Sequence, residues 1–208
     1  MNFVFTLESI VFIILLMSIP RPFDRPIPKV PRDPFPILTE PCDIVAGYGR
    51  GSSELGFPTV NVPIEQLPKE VNDLELGVYF GYALLKPVLG KEDTMETNEA
   101  GRELQFNHGR LLDSASGDLD VLPVVLSVGM NPFYHNKYKT VELHLLHEFK
   151  HNFYGAQIKF NILGYIRPEL DYTTVEALIN DINKDIVIAR TALESPEYSS
   201  FMTQLIPW

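Results

Sequence analysis

Thr140-Val141-Glu142-Leu143-His144-Leu145-Leu146-His147 alternates apolar and polar side chains with a period of two as far as Leu145. That period belongs to a β-strand with one face in a core and the other turned outward. Val141, Leu143 and Leu145 share the core face, which leaves Glu142 and His144 together on the opposite one. The same grammar runs outward in both directions from this stretch. From Cys42 onward Gly and Pro recur at short intervals, and the runs between them favour β-branched and aromatic residues. Candidate strands are 42–48, 57–62, 77–85, 122–128, 140–146 and 156–165. Six short strands close most simply into an antiparallel barrel, because closure removes exposed edges.

After the last candidate strand, Thr173-Thr174-Val175-Glu176 has the form of a capping box, with Thr173 as N-cap and Glu176 reaching back. Val175, Leu178, Ile179, Ile182, Ile186, Ala189 and Leu193 then recur at helical spacing, which predicts one amphipathic helix of about five turns against the barrel. Its apolar stripe reads as core packing. Residues 86–120 interrupt the strand pattern with acidic, weakly apolar sequence and read as a long solvated insertion between two strands. The expected organisation is an N-terminal extension over 1–41 and a barrel domain over 42–208 that carries this insertion.

The chain has 208 residues, 45% of them apolar, a net charge of -10 and one cysteine. That length buries one good core. A single Cys42 excludes an intramolecular disulfide, reads as an ordinary packed thiol and suggests a reducing, cytoplasmic setting. The acidic balance argues against a nucleic-acid partner, since neutralising phosphates takes a basic surface. Residues 3–19 form the one strongly apolar run, broken by Glu8. Three readings stand open for it: a signal or anchor segment with mitochondrial or endoplasmic-reticulum membrane association, a segment too short and wrongly flanked for either, or untranslated sequence ahead of a start at Met17. Residues 20–41 are proline-rich and read as an extended, poorly ordered lead-in.

Upstream of the Glu142 strand, Gly47-Tyr48-Gly49-Arg50-Gly51-Ser52-Ser53-Glu54-Leu55-Gly56-Phe57-Pro58-Thr59-Val60-Asn61 combines flexible glycines, a cation, hydroxyls and a Thr-x-Asn pair. Gly47, Gly49 and Gly51 let backbone N–H groups turn toward an anion, while Arg50, Ser52 and Ser53 add charge and donors. Thr59 and Asn61, two apart on a strand, point the same way and offer two oxygens to a hard cation of the Mg2+ type. No Gly-Lys-Ser/Thr follows, so this is not a Walker A loop. Read from residues alone, the stretch is either an ordinary turn before a strand or a phosphate and metal site. Glu142 is likewise either a solvated group or a base for an alcohol.

The blocks taken together resemble the riboflavin kinases. Arg50, Gly51, Ser52, Leu55, Gly56, Pro58, Thr59 and Asn61 meet the first signature, with Val60 where the family usually has Ala. Ser127-Val128-Gly129-Met130-Asn131-Pro132-Phe133-Tyr134 followed by Glu142-x-His144 meets the second, with Met130 in place of the usual Trp. Phe153-Tyr154-Gly155 and Leu163 to Tyr172 meet the third. The resemblance covers about residues 42–195 and implies a six-stranded antiparallel Greek-key (split) barrel with a C-terminal α-helix. It implies riboflavin and ATP as substrates, FMN and ADP as products, Mg2+ with Zn2+ as the alternative, and a monomer. It also implies Glu142 as base, Gly47, Arg50, Gly51, Ser52, Ser53, Thr59 and Asn61 toward the nucleotide, Thr59 and Asn61 at the metal, and Arg167, Leu170 and Tyr172 over the flavin. From residues alone Arg167 also fits a surface ion pair with Glu169 or with the helix. A bifunctional kinase and FAD synthetase would add a nucleotidyltransferase domain with a His-x-Gly-His type motif, which this sequence lacks. A non-catalytic flavin- or nucleotide-binding barrel and a pure interaction module are the rivals of a different class.

Overall fold

The structure, a computed structural model, describes residues 21–47, 55–98, 101–130, 138–206 and 208. The glycine-rich residues Arg50, Gly51, Ser52 and Ser53, the stretch 131–137 and the apolar run 3–19 lie outside these described residues. Among the described residues no helix is long and apolar enough to cross a membrane.

The strands in chain order are β1 (Ile37–Leu38), β2 (Cys42–Asp43), β3 (Val60–Val62), β4 (Gly77–Lys86), β5 (Thr94–Thr97), β6 (Glu103–Phe106), β7 (Leu122–Met130), β8 (Lys139–Leu145), β9 (Gln157–Ile162) and β10 (Gly164–Pro168). A one-turn helix, α1 (Glu70–Asp73), precedes β4, and the long helix α2 (Val175–Leu193) follows β10. In the main sheet the order is β1-β9-β4-β7-β8-β3, with β10 on β4 and β2 on β9, every pair antiparallel. A bridge between Val45 and Asn61 joins the chain beyond β2 to β3, so the sheet curls back on itself. β4, β7 and β8 are successive neighbours, and β3, which precedes them, lies beside β8 in the Greek-key manner. Each of the six expected strands is present in this barrel.

The last of them is divided in two. β9 pairs with the far half of β4 and with β1 and β2, whereas β10 pairs with the near half of β4. The corner sits at Gly81, where a Cβ would overlap the Asn161 carbonyl. The Asn161 side chain there accepts from the Tyr82 N–H at 2.9 Å. Glycine in mid-strand thus permits the close approach that the bend needs.

Two apolar clusters hold this arrangement. Val60, Val62, Tyr79, Leu126, Val141, Leu143, Ile158 and Phe160 fill the barrel interior, so the interior is packed solid. Val78, Phe80, Tyr82 and Val125 face outward and meet Ala189 and Leu193 of α2 and Tyr198 and Leu205 beyond it. β4 is buried on both faces, which explains its nearly unbroken apolar sequence. Cys42 is a packed thiol: its Sγ lies 3.3 Å from the Ile158 carbonyl oxygen, and burial, with the Asp43 charge beside it, pushes its pKa up to about 12.

Three expectations are corrected. The N-cap of α2 is Thr174, whose hydroxyl accepts from the Ala177 N–H at 3.2 Å, so the cap lies one residue later than the capping-box reading puts it. Residues 86–120 are not a bare loop: β5 and β6 form a hairpin, and Phe106, Asn107, His108 and Asp118 are buried. The lead-in is strapped to the barrel. β1 pairs with β9, and Arg21, only 6% exposed, reaches Asp24, Asp181 and Asp185. A buried cation with several carboxylate partners orders a segment whose composition alone suggests disorder.

Candidate active site

The polar residues read from the sequence meet on the outer face of the barrel, under α2. Register explains how. Asn61 of β3 pairs with Glu142 of β8, Glu142 with Ser127 of β7, Ser127 with Val78 of β4, and Val78 with Arg167 of β10. Residues directly opposite in an antiparallel pair put their side chains on the same face. One rung across five strands therefore carries a row of functional side chains, and all five line a cavity of about 460 Å³. Gly47, Leu55, Thr59, Leu170, Tyr172 and His144 also line it, with Leu178 and Ile182 of α2. The helix stripe is thus divided between core packing and a ligand wall, where the sequence reading gave it core packing alone.

Thr59 Oγ1 donates to Glu142 Oε2 at 3.4 Å. The Asn61 amide presses against Gly47 so closely that a Cβ at Gly47 would overlap its Nδ2. A hydroxyl, an amide oxygen and a carboxylate, all hard oxygen donors, are thereby collected from two adjacent strands. His144 donates from Nδ1 to the Pro58 carbonyl at 2.9 Å, since a carbonyl only accepts, and this ties β8 to the residue before Thr59. Burial lowers its pKa, the Pro58 bond opposes that, and the charge of Arg190 adds to it.

Arg167 is 4% exposed. Its Nε and Nη2 donate to Asp185 and its Nη1 to the Pro168 carbonyl. The ion pair with the helix is made, through Asp185, but it is buried and not the surface pair that the sequence suggested. Tyr172 donates its hydroxyl to Asp181 at 2.9 Å, and its ring centroid lies 5.9 Å from the Arg167 guanidinium carbon.

Ser127, placed in the second block without a role, and Glu169, named only as an ion-pair candidate for Arg167, also line this cavity. Ser127 could have been found by counting the register from Glu142, had the pairing been known. Glu169 lies within the third block, but its place is set by a glycine far off in the chain: its carboxylate fits beside Gly129, where a Cβ would crowd it. Its pKa is raised by burial and further by Glu142 and Asp171, against the lowering effect of Arg167. Met130, at the end of β7, is not part of the wall.

A second cavity of about 730 Å³ lies next to the first, and Pro58, Thr59, His144 and Tyr154 line both. Its own walls bring His147, Lys150, His151 and Arg190 together with Phe149 and Phe153. Gly47 and Leu55, on either side of residues 48–54, which lie outside the described residues, line the first cavity, and Gly56 lines the second.

Comparison with known proteins places these features in a family. Residues 41–193 match the flavokinase model, described as riboflavin kinase. The chain is 60% identical over 185 residues to the riboflavin kinase of Saccharomyces cerevisiae, covering 89% of this chain and 85% of that one. It is 60% identical over 186 residues to the riboflavin kinase of Candida glabrata, covering 89% and 98%. The crystal structure of riboflavin kinase from Trypanosoma brucei superposes with a TM-score of 0.55 at 25% identity, covering 83% of this chain and 86% of that one.

Proposed function

This chain belongs to the riboflavin kinase family, and from that premise we propose a division of labour for the transfer of the ATP γ-phosphoryl group to the 5′-hydroxyl of riboflavin, giving FMN and ADP. The observation that carries it is the rung Asn61, Glu142 and Ser127 beside Thr59, a base, two hydroxyls and an amide oxygen facing one cavity. The first cavity, with its polar row and its apolar walls from Leu55, Leu170, Tyr172, Leu178 and Ile182, takes the flavin. The second, with its cationic side chains, takes the nucleotide, and the glycine-rich turn including Arg50, Gly51, Ser52 and Ser53 serves the phosphates between the two. Glu142 accepts the ribityl hydroxyl proton as that oxygen bonds to the γ-phosphorus. The bond to the bridging oxygen breaks, and ADP leaves with the electron pair. Ser127 orients the ribityl chain, and the segment from Arg167 to Tyr172 covers the flavin and keeps water from competing as acceptor.

Thr59 and Asn61 would hold a divalent ion, which when bound neutralises charge on the phosphate oxygens. Their hard oxygens suit Mg2+. Zn2+ favours nitrogen and sulfur ligands, and among the described residues there is no group of three or more His, Cys, Asp or Glu that could hold a metal ion. We further propose that residues 42–208 form the catalytic unit with 1–41 as its extension, and that it works as a cytoplasmic monomer, which sedimentation and cell fractionation would check. Mixing the protein with riboflavin and Mg-ATP and following FMN by mass spectrometry tests the central reading. Flavin binding without FMN formation would leave only a binding barrel.

Gly47 supplies a sharper test. Substituting Gly47→Ala forces the Asn61 amide aside, and displacement of about 1 Å at a positioning group costs up to about a hundredfold in rate. The expected result is a fall in kcat of at least tenfold, with riboflavin affinity retained. A variant with wild-type turnover would remove Asn61 from the metal and phosphate site.

A further inference from the structure

The acidic segment between β6 and β7 places one buried carboxylate, Asp118, behind a wall residue of the second cavity, His147. Asp118 is 5% exposed, and its Oδ1 accepts from His147 Nε2 at 2.8 Å. Its Oδ2 accepts from the Asp113 N–H at 2.9 Å, which fixes the carboxylate from the other side. Asp113 in turn caps the short turn that follows it, Ser114–Ser116, accepting from the Ala115 N–H and from the Ser116 hydroxyl, both at 2.9 Å. Lys150 of the cavity wall donates to that same Ser116 hydroxyl at 3.1 Å. His147 meets the Phe149 ring edge-on at 4.7 Å, and Phe149 packs on Phe153 at 4.6 Å. All three rings line the second cavity.

A carboxylate without a proton only accepts, so Nε2 of His147 carries the hydrogen that the two groups share. In the neutral imidazole this leaves Nδ1 as an acceptor, and the ring cannot turn without losing a bond to a buried charge. We propose that Asp118 is the positioning residue for His147, and that through this pair the insertion sets how the second cavity binds nucleotide; the inference rests on reading that cavity as the nucleotide site. It gives residues 86–120 a role: the hairpin and turn hold a carboxylate behind a wall residue of the cavity, in the manner of the outer partners that orient histidines elsewhere.

Two variants and one spectrum test it on the full chain. Asp118→Ala is expected to raise the KM for ATP about tenfold while the KM for riboflavin moves by less than about twofold. Asp118→Asn, whose single amide oxygen can accept the His147 hydrogen while its NH2 faces the Asp113 N–H, is expected to restore part of that loss. Nitrogen-15 chemical shifts of His147 are expected to report the Nε2–H tautomer in the wild type and a mixture in Asp118→Ala. Equal changes in both KM values, or an unchanged tautomer in Asp118→Ala, would overturn the role of Asp118. The premise is tested separately by His147→Gln. A rise in nucleotide KM there, with none in Asp118→Ala, overturns only the positioning role, whereas a change confined to riboflavin overturns the nucleotide reading of the cavity.

Discussion

Glu142→Gln is expected to lower kcat by about two to four orders of magnitude while the riboflavin dissociation constant stays within about threefold of wild type. Glutamine keeps the length and shape of the side chain, and its amide oxygen still accepts from Thr59, which sits 3.4 Å from the carboxylate. Its register neighbours, Asn61 on one strand and Ser127 on the other, are held by the backbone and stay in place. What goes is the capacity to take a proton. In a loose phosphoryl-transfer transition state the attacking hydroxyl keeps its proton until late, so a base contributes through its position and through the final acceptance. Calorimetric titration with riboflavin separates this from a binding defect, and quench-flow measurement of FMN gives the chemical step. Turnover at the wild-type rate would take the base away from Glu142 and leave it as a side chain lining the flavin.

Much of this site can be seen in one strand. The alternation over 140–145 places Glu142 and His144 on the face opposite Val141, Leu143 and Leu145, and the structure agrees: those three side chains are buried and the other two line the cavity. The period of a strand is a local property, set by backbone geometry, so local sequence reports it. Register is not local. That Asn61 lies opposite Glu142, and Ser127 opposite Glu142 on the other side, depends on how three strands slide against one another, which is why the sequence includes Ser127 in a block yet gives it no place beside Glu142. The reason is similar for the glutamate in the tail of β10, Glu169, since its place is made by the missing Cβ of Gly129.

Where composition stands in for contacts, the reading goes astray. Residues 20–41 have the prolines and charges of a disordered linker, yet Arg21 finds Asp185 at a separation of 164 residues. No window on the lead-in contains that partner. The acidic insertion is misread in the same way, because its buried groups, Phe106 against Tyr154 at 5.5 Å and Asp118 against His147, are satisfied by a loop that follows it much later in the chain. The helix stripe shows the opposite limit. Spacing identifies the face that turns inward, but not that Leu178 and Ile182 meet a cavity while Ala189 and Leu193 meet the core.

Asp185→Ala is expected to be the most destabilising single substitution of those considered. The Asp185 residue is 1% exposed on α2 and accepts from both Arg167 and Arg21, at 2.8 and 2.5 Å for the shortest bonds. Arg167 ends the rung that floors the cavity, Arg21 carries the lead-in, and Asp181 one turn earlier holds both Arg21 and the Tyr172 hydroxyl. Asp185 thus joins the lead-in and β10 to the helix, and Asp181 adds the Tyr172 segment to the same group. An intact buried ion pair adds little net stability, because desolvating the charges offsets their attraction. Removing one partner is costly, because the other stays buried and unpaired. Arg167 would be left buried with no carboxylate partner among the described residues, while Arg21 keeps Asp24 and Asp181, so a loss of about 3–5 kcal/mol is expected, which for a chain of this size lowers Tm by roughly 10 °C. Arg21→Gln should cost much less, since the bidentate contact between Arg167 and Asp185 survives it. Thermal unfolding of both variants, with and without riboflavin, is the measurement. Asp185→Ala melting within about 2 °C of wild type would mean that Arg167 finds another partner, and that the lead-in is not fastened to β10 through this residue.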